Sequence, residues 1–131
     1  MDSPYIYKFK NKKKKENNIN ENKTIEQNEF SFPDYNIIID LNENNTLSIT
    51  CEYKQNFYQK ILTTNELIEL SEILKTFNDI KEIYSAFLHI IKDNKIFVVQ
   101  FNENQIKFKI KEFIICRFDI YLKNIYIIKY I

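Results

Sequence analysis

Apolar and polar residues alternate along two consecutive stretches of this chain, and that two-residue period predicts a β-hairpin. Between residues 36 and 41, Ile37, Ile39 and Leu41 face one way. On the next stretch Leu47, Ile49, Cys51 and Tyr53 do the same, with Ser48, Thr50 and Glu52 opposite. Successive side chains of a strand point to opposite faces, so each stretch has one side for a core and one for water. Asn42, Glu43, Asn44 and Asn45 supply the turn, asparagine tolerating the positive φ that glycine usually provides. After Lys54, Gln55 and Asn56, a third strand at 57–62 runs directly into Thr63.

There the period changes. Thr63 with Glu66 makes a capping box, and Leu67, Leu70, Leu74 and Phe77, with Ile73, recur at helical spacing. Asn78 and Asp79 interrupt the stripe. Asp79 with Glu82 repeats the capping pattern, and Ile80, Ile83, Tyr84, Phe87, Leu88 and Ile91 line one side of a second helix that Asn94 ends. Two helices so closely joined must turn back or bend sharply, and their joint apolar surface needs a sheet to cover.

Beyond the helices the two-residue period returns. Residues 95–101 read as a strand with Phe97, Val99 and Phe101 inward, and residues 102–105 as a turn. Ile106, Phe108 and Ile110 then alternate with Lys107, Lys109 and Lys111, giving one apolar and one cationic face. Residues 112–116 continue the strand or bend it. Phe118, Ile120 and Leu122 alternate again, against Asp119, Tyr121 and Lys123. The expected fold is α+β: an antiparallel sheet or small sandwich with a helical hairpin inserted between the earlier and later strands.

The 131 residues suffice for one domain. Near the start, Tyr5, Ile6, Tyr7 and Phe9 form a short apolar patch, either an edge strand or a sticky segment. Residues 11–29 are polar throughout, so residues 1–29 are expected to be a disordered basic and Asn-rich arm, and residues 30–131 the globular domain. Phe30, Phe32 and Pro33 mark the entry to order.

Composition removes several functions. The chain has no Gly and a formal net charge of +1. Phosphate-cradling loops need Gly for close backbone approach, and so small a net charge gives no global field for nucleic acid or acidic lipid. The abundance of Asn, Lys, Ile, Tyr and Phe points to an AT-rich coding sequence, which lowers the information in any Asn or Lys run. Cys51 and Cys116 sit on apolar strand patterns and read as small core residues. His89, the single histidine, reads as a partly buried packing residue. No closely spaced Cys or His pair suggests zinc, and Glu66, Glu69, Glu72 and Glu82 read as caps and solvated faces. The expectation is no enzyme, no cofactor, no metal and no small-molecule ligand. With no apolar leader and no stretch of about 18 apolar residues, no membrane association is expected. The expected compartment is cytoplasmic, or else nuclear.

The order of elements, with Phe57, Tyr58, Gln59, Lys60, Ile61 and Leu62 running into helix at 63–77 and strands at 95–110, resembles the globular head of DNA-end-joining scaffold proteins and of the centriolar cartwheel protein. The resemblance spans about residues 30–124. It implies a β-sandwich head with a helical hairpin between earlier and later strands, and a non-enzymatic role in self-association or partner docking. Those heads sit on coiled-coil stalks, whereas no heptad pattern follows Leu122 here.

Two surfaces remain as candidates. Ile125, Tyr126, Ile127, Ile128, Tyr130 and Ile131 form an apolar segment that suits either an inner strand or a protein interface made by strand addition. The helical hairpin is a second candidate contact. Lys107, Lys109 and Lys111, with an arm bearing Lys12, Lys13, Lys14 and Lys15, could instead track a phosphate backbone. Alternating lysines also simply keep a strand face soluble, and Arg117 alone reads few bases. The expected function is therefore a non-catalytic protein–protein interaction or assembly domain, binding itself or another protein. The alternative is a nucleic-acid-binding module.

Overall fold

The computed structural model describes residues 23–113 and 116–125. The strands are β1 (Thr24–Ser31), β2 (Tyr35–Asn42), β3 (Thr46–Tyr53), β4 (Asn56–Thr63), β5 (Ile96–Asn102), β6 (Gln105–Phe113) and β7 (Cys116–Asn124). Helix α1 (Thr64–Leu70), a 3-10 segment (Glu72–Thr76) and helix α2 (Ile80–Lys92) lie between β4 and β5. The fold is α+β, and its seven strands form one antiparallel sheet in the order β1-β2-β3-β4-β7-β6-β5.

Alternation sets the pairing. Ile37 lies opposite Cys51, Ile39 opposite Ile49 and Leu41 opposite Leu47, so one face of β2 and β3 is continuously apolar. Tyr58 and Leu62 of β4 extend that face, and Ile106, Phe108, Ile110, Phe118, Ile120 and Leu122 continue it through β6 and β7. Leu67, Leu74, Ile80, Ile83, Tyr84, Phe87, Ile90 and Ile91 pack onto it from the helical side. The apolar stripe of the helical pair is thus consumed by the core and is not a free contact surface. The Tyr84 hydroxyl donates to the Ile39 carbonyl at 3.1 Å and accepts from Asn28 at 2.9 Å, fastening α2 to two strands.

The caps form at the predicted residues, but only the first is a full box, since the Glu82 carboxylate accepts from the Asn78 N–H and not from that of Asp79. The Thr63 side chain accepts from the Glu66 N–H while Glu66 accepts from the Thr63 N–H, and Asp79 accepts from the Glu82 N–H. That backbone donor at Thr63 holds the exposed Glu66 carboxyl below its ordinary range. The first helix is shorter than expected: Ser71 is extended (φ −162°, ψ 137°), so α1 stops at Leu70 and a 3-10 turn carries Leu74 into the core.

Order begins before Phe30. The expected boundary after residue 29 falls inside β1, which pairs with β2 from Thr24 to Ser31. A strand joins a sheet through its backbone, so a polar edge strand needs little apolar surface of its own. Residues 1–22 lie outside the described residues. His89 is exposed on α2, not partly buried.

Without glycine, left-handed positions fall to other residues. Asn45 (φ 59°) and Asn94 (φ 58°) take them as expected. Lys54 (φ 51°) and Gln55 (φ 68°) take two in succession at the β3–β4 turn, where Asn-Gly is the favoured pair. Each non-glycine residue held there costs about 1–2 kcal/mol. Gln55→Gly relieves that strain against an unfolded-state entropy loss of about 0.5–1 kcal/mol. It should raise the urea midpoint by an amount worth up to about 1 kcal/mol without changing the m-value.

Candidate functional site

The outer face of β5, β6 and β7 gathers the chain's densest cluster of described cations and exposed rings. Its position follows from one irregularity. Ile96 pairs with Ile110, Val98 with Phe108 and Gln100 with Ile106, but next to the turn Asn102 pairs with Gln105, a register shift between Gln100 and Asn102. A regular hairpin continued from Asn102 and Gln105 would set Phe97, Val99 and Phe101 beside Ile106, Phe108 and Ile110 on the core side. The bulge adds one residue and exchanges the two faces of β5. Ile96 and Val98 are therefore the buried residues, and the expectation that Phe97, Val99 and Phe101 point inward is corrected.

Phe97 and Phe101 stand instead among the lysines, 36% and 51% exposed. Phe97 lies across from Lys109, and Val99 across from Lys107. On the other side of β6, Lys107 lies across from Tyr121 and Lys109 across from Asp119. The Lys107 ammonium sits 5.7 Å from the Phe101 ring centre and 5.6 Å from that of Tyr121, itself 38% exposed. Lys109 and Lys111 flank Phe97 at 5.5 and 5.4 Å. Phe101 and Tyr121 meet edge to face, with centroids 4.8 Å apart at 72°.

The charge on this face is mostly positive. Lys107, Lys109, Lys111, Arg117 and Lys123 stand against Asp119, which pairs loosely with Lys107 at 4.0 Å. An open depression of about 520 Å³ lies between Phe97, Lys109, Lys111, Arg117 and Asp119. Ring faces attract cations and stack on flat partners, while ammonium and guanidinium groups attract anions, so the surface suits a ligand that is both anionic and aromatic.

The other sequence candidates are not assembled here. Ile125 follows β7 half-buried, while Tyr126, Ile127, Ile128, Tyr130 and Ile131 lie outside the described residues, as do Lys12, Lys13, Lys14 and Lys15. Lys107, Lys109 and Lys111 do share one face. Arg117, weighed with them in the sequence, lies beside them, while Phe97 and Phe101 joined them unforeseen; the available signal was Tyr121, whose parity already placed it opposite the core.

Among the described residues no group of three or more His, Cys, Asp or Glu is arranged to hold a metal ion, and no helix is long and apolar enough to cross a membrane. No family model, no curated protein and no solved structure matches this chain.

Cys51 is fully buried, and burial, aided by the neighbouring Glu52 charge, pushes its thiol well up from the ordinary value. A thiol so placed is a poor nucleophile. The unfolded chain gives up this proton near pH about 8.5 while the folded chain keeps it. The native state then holds more protons, and stability present below that pH is lost as pH rises. The urea midpoint should hold steady to about pH 8 and then fall, and Cys51→Ala should flatten the slope between about pH 8.5 and 10.

Proposed function

We propose that this chain is a non-catalytic binding module that holds single-stranded nucleic acid on the outer face of β5–β7. The observation that carries the reading is the lysine–aromatic lattice: Phe97, Phe101 and Tyr121 exposed between Lys107, Lys109 and Lys111 on one sheet surface. Phosphates answer the ammonium groups, and unstacked bases answer the rings. A duplex would use the charges and leave the rings idle, which is why the single strand is the better match. The sequence favours protein assembly through the apolar end at 125–131 and the helical pair, and reads the alternating lysines as a soluble strand face with Phe97 and Phe101 inward. Their exposure moves the weight to nucleic acid.

A titration of fluorescently labelled oligonucleotide by anisotropy tests this. If about four phosphates are engaged, affinity should fall with salt at a log–log slope of about −3. Lys109→Glu should weaken binding at least tenfold. Phe101→Ala should cost about 1–3 kcal/mol of affinity, the usual worth of one stacked base. Binding that is indifferent to salt and to Lys109→Glu sinks the reading.

A second reading is protein–protein assembly, with another copy or another protein. It is supported by the position of β5 at the edge of the sheet among the described strands, with Phe97 and Phe101 on it, and by the helical pair between β4 and β5, the order found in the scaffold heads. Light scattering on the intact chain separates the two. A stable oligomer that becomes a folded monomer when residues 125–131 are removed favours assembly, whereas a concentration-independent monomer counts against it.

A further inference from the structure

One carboxylate stands among the cations of the β5–β7 face, and phosphate binding gives no reason for it. Asp119 lies on β7 in the same cross-strand row as Lys109 and Phe97. Phe97 is opposite Lys109 on the β5–β6 ladder, and Lys109 is opposite Asp119 on the β6–β7 ladder. Among the described residues Asp119 is the one acidic group lining the open depression of about 520 Å³, against Lys109, Lys111 and Arg117. A carboxylate there repels the phosphates that its neighbours attract.

Its ion pair does not consume it. The Lys107 ammonium is 4.0 Å from the Asp119 carboxylate, longer than the about 2.7–2.9 Å of a charge-assisted hydrogen bond. Acceptor sites on the two oxygens are thus left for a ligand, and a carboxylate can only accept. Asp119 stands two strand spacings from Phe97, about 9.5 Å, a gap that a purine stacked on the Phe97 ring can bridge with its outer edge. The depression between the two residues leaves room for that base.

The bases differ in what they would bring to such a carboxylate. Guanine carries N1–H and the N2 amino group side by side on its Watson–Crick edge, two parallel donors for two carboxylate oxygens. Adenine and cytosine set one amino group beside an acceptor nitrogen. Thymine and uracil set one N–H between two carbonyls. Each of these three patterns turns an acceptor toward Asp119, and guanine alone does not. Unpaired bases expose this edge, and single-strand binders read it.

We propose that Asp119 makes the β5–β7 face selective for guanine. The base stacks on Phe97, its N1–H and N2 amino group donate to the Asp119 carboxylate, and Lys109, Lys111 and Arg117 hold the phosphates on either side. This base preference rests on the single-strand reading above and adds a specificity to it. A carboxylate that merely offset the neighbouring lysines would weaken every oligonucleotide alike, so the two roles are separable by measurement.

Anisotropy titrations of the intact chain test this, with labelled strands of about ten thymidines in which one central position is replaced by guanine, inosine, adenine or cytosine. The guanine strand should bind about tenfold more tightly than the all-thymine strand. Inosine, which lacks the N2 amino group, should lose most of that gain. Asp119→Asn should erase the preference and bind the all-thymine strand more tightly, because an opposing charge is gone. Equal affinity for all the strands overturns the preference and leaves single-strand binding standing. A guanine preference that survives Asp119→Asn overturns the role given to Asp119. Failure of every strand to bind overturns the preference and the single-strand reading together.

Discussion

The packing of α2 against the inner face of the sheet is the contact on which the rest of the structure depends. The sheet is two meanders, β1–β4 and β5–β7, and the ladder joining them is short: Tyr58 pairs with Asn124 and Gln59 with Lys123. So few hydrogen bonds, each worth about 0.5–1.5 kcal/mol net, do not hold two halves in register. Helix α2 reaches both. Its Tyr84 is fixed to β1 and β2, and its Phe87 ring lies 6.3 Å from that of Phe118 on β7. Each large apolar side chain buried there contributes about 1.5–3 kcal/mol, so the helix does what the ladder alone does not.

With the inner face given over to that contact, the outer one is the face of the sheet left without a described helix over it. The outer face is not uniform. Its β1–β3 side is acidic, amide-rich and shielded, while its β5–β7 side is cationic and ring-bearing. The bulge beside Phe101 creates the second character. Without that extra residue the same amino acids would bury Phe97 and leave the lysines on an ordinary soluble surface.

Much of the fold was legible because it rests on local rules. The caps at Thr63 and Asp79, the turn at Asn45 and the stop at Asn94 involve residues within a few positions of each other, and all formed at the residues read for them. The hairpin of β2 and β3 was equally plain, since Leu47, Ile49 and Cys51 alternate with Ser48, Thr50 and Glu52 and the Asn-rich turn precedes them. Strand β5 was not, because Ile96, Phe97, Val98 and Val99 are apolar on both faces and parity there depends on a bulge that composition does not announce. Strand β1 escaped notice for the opposite reason. Its order derives from pairing with β2, which a polar sequence does not advertise. The lysine strip of the candidate site was visible, and its aromatic partners were hidden by the same phase error.

The short ladder between β4 and β7 also bears on how the chain reaches this state. Every other ladder joins strands that follow one another in sequence, so each meander closes small loops at low entropic cost. Among the described residues the β4–β7 junction is the one pairing of strands distant in sequence, with α1 and α2 lying between its partners. Of the ladders described, it closes the longest loop, so it carries the largest entropic cost of pairing. The helices that separate the halves in sequence thus both raise the cost of joining them and, through α2, supply the packing that offsets it.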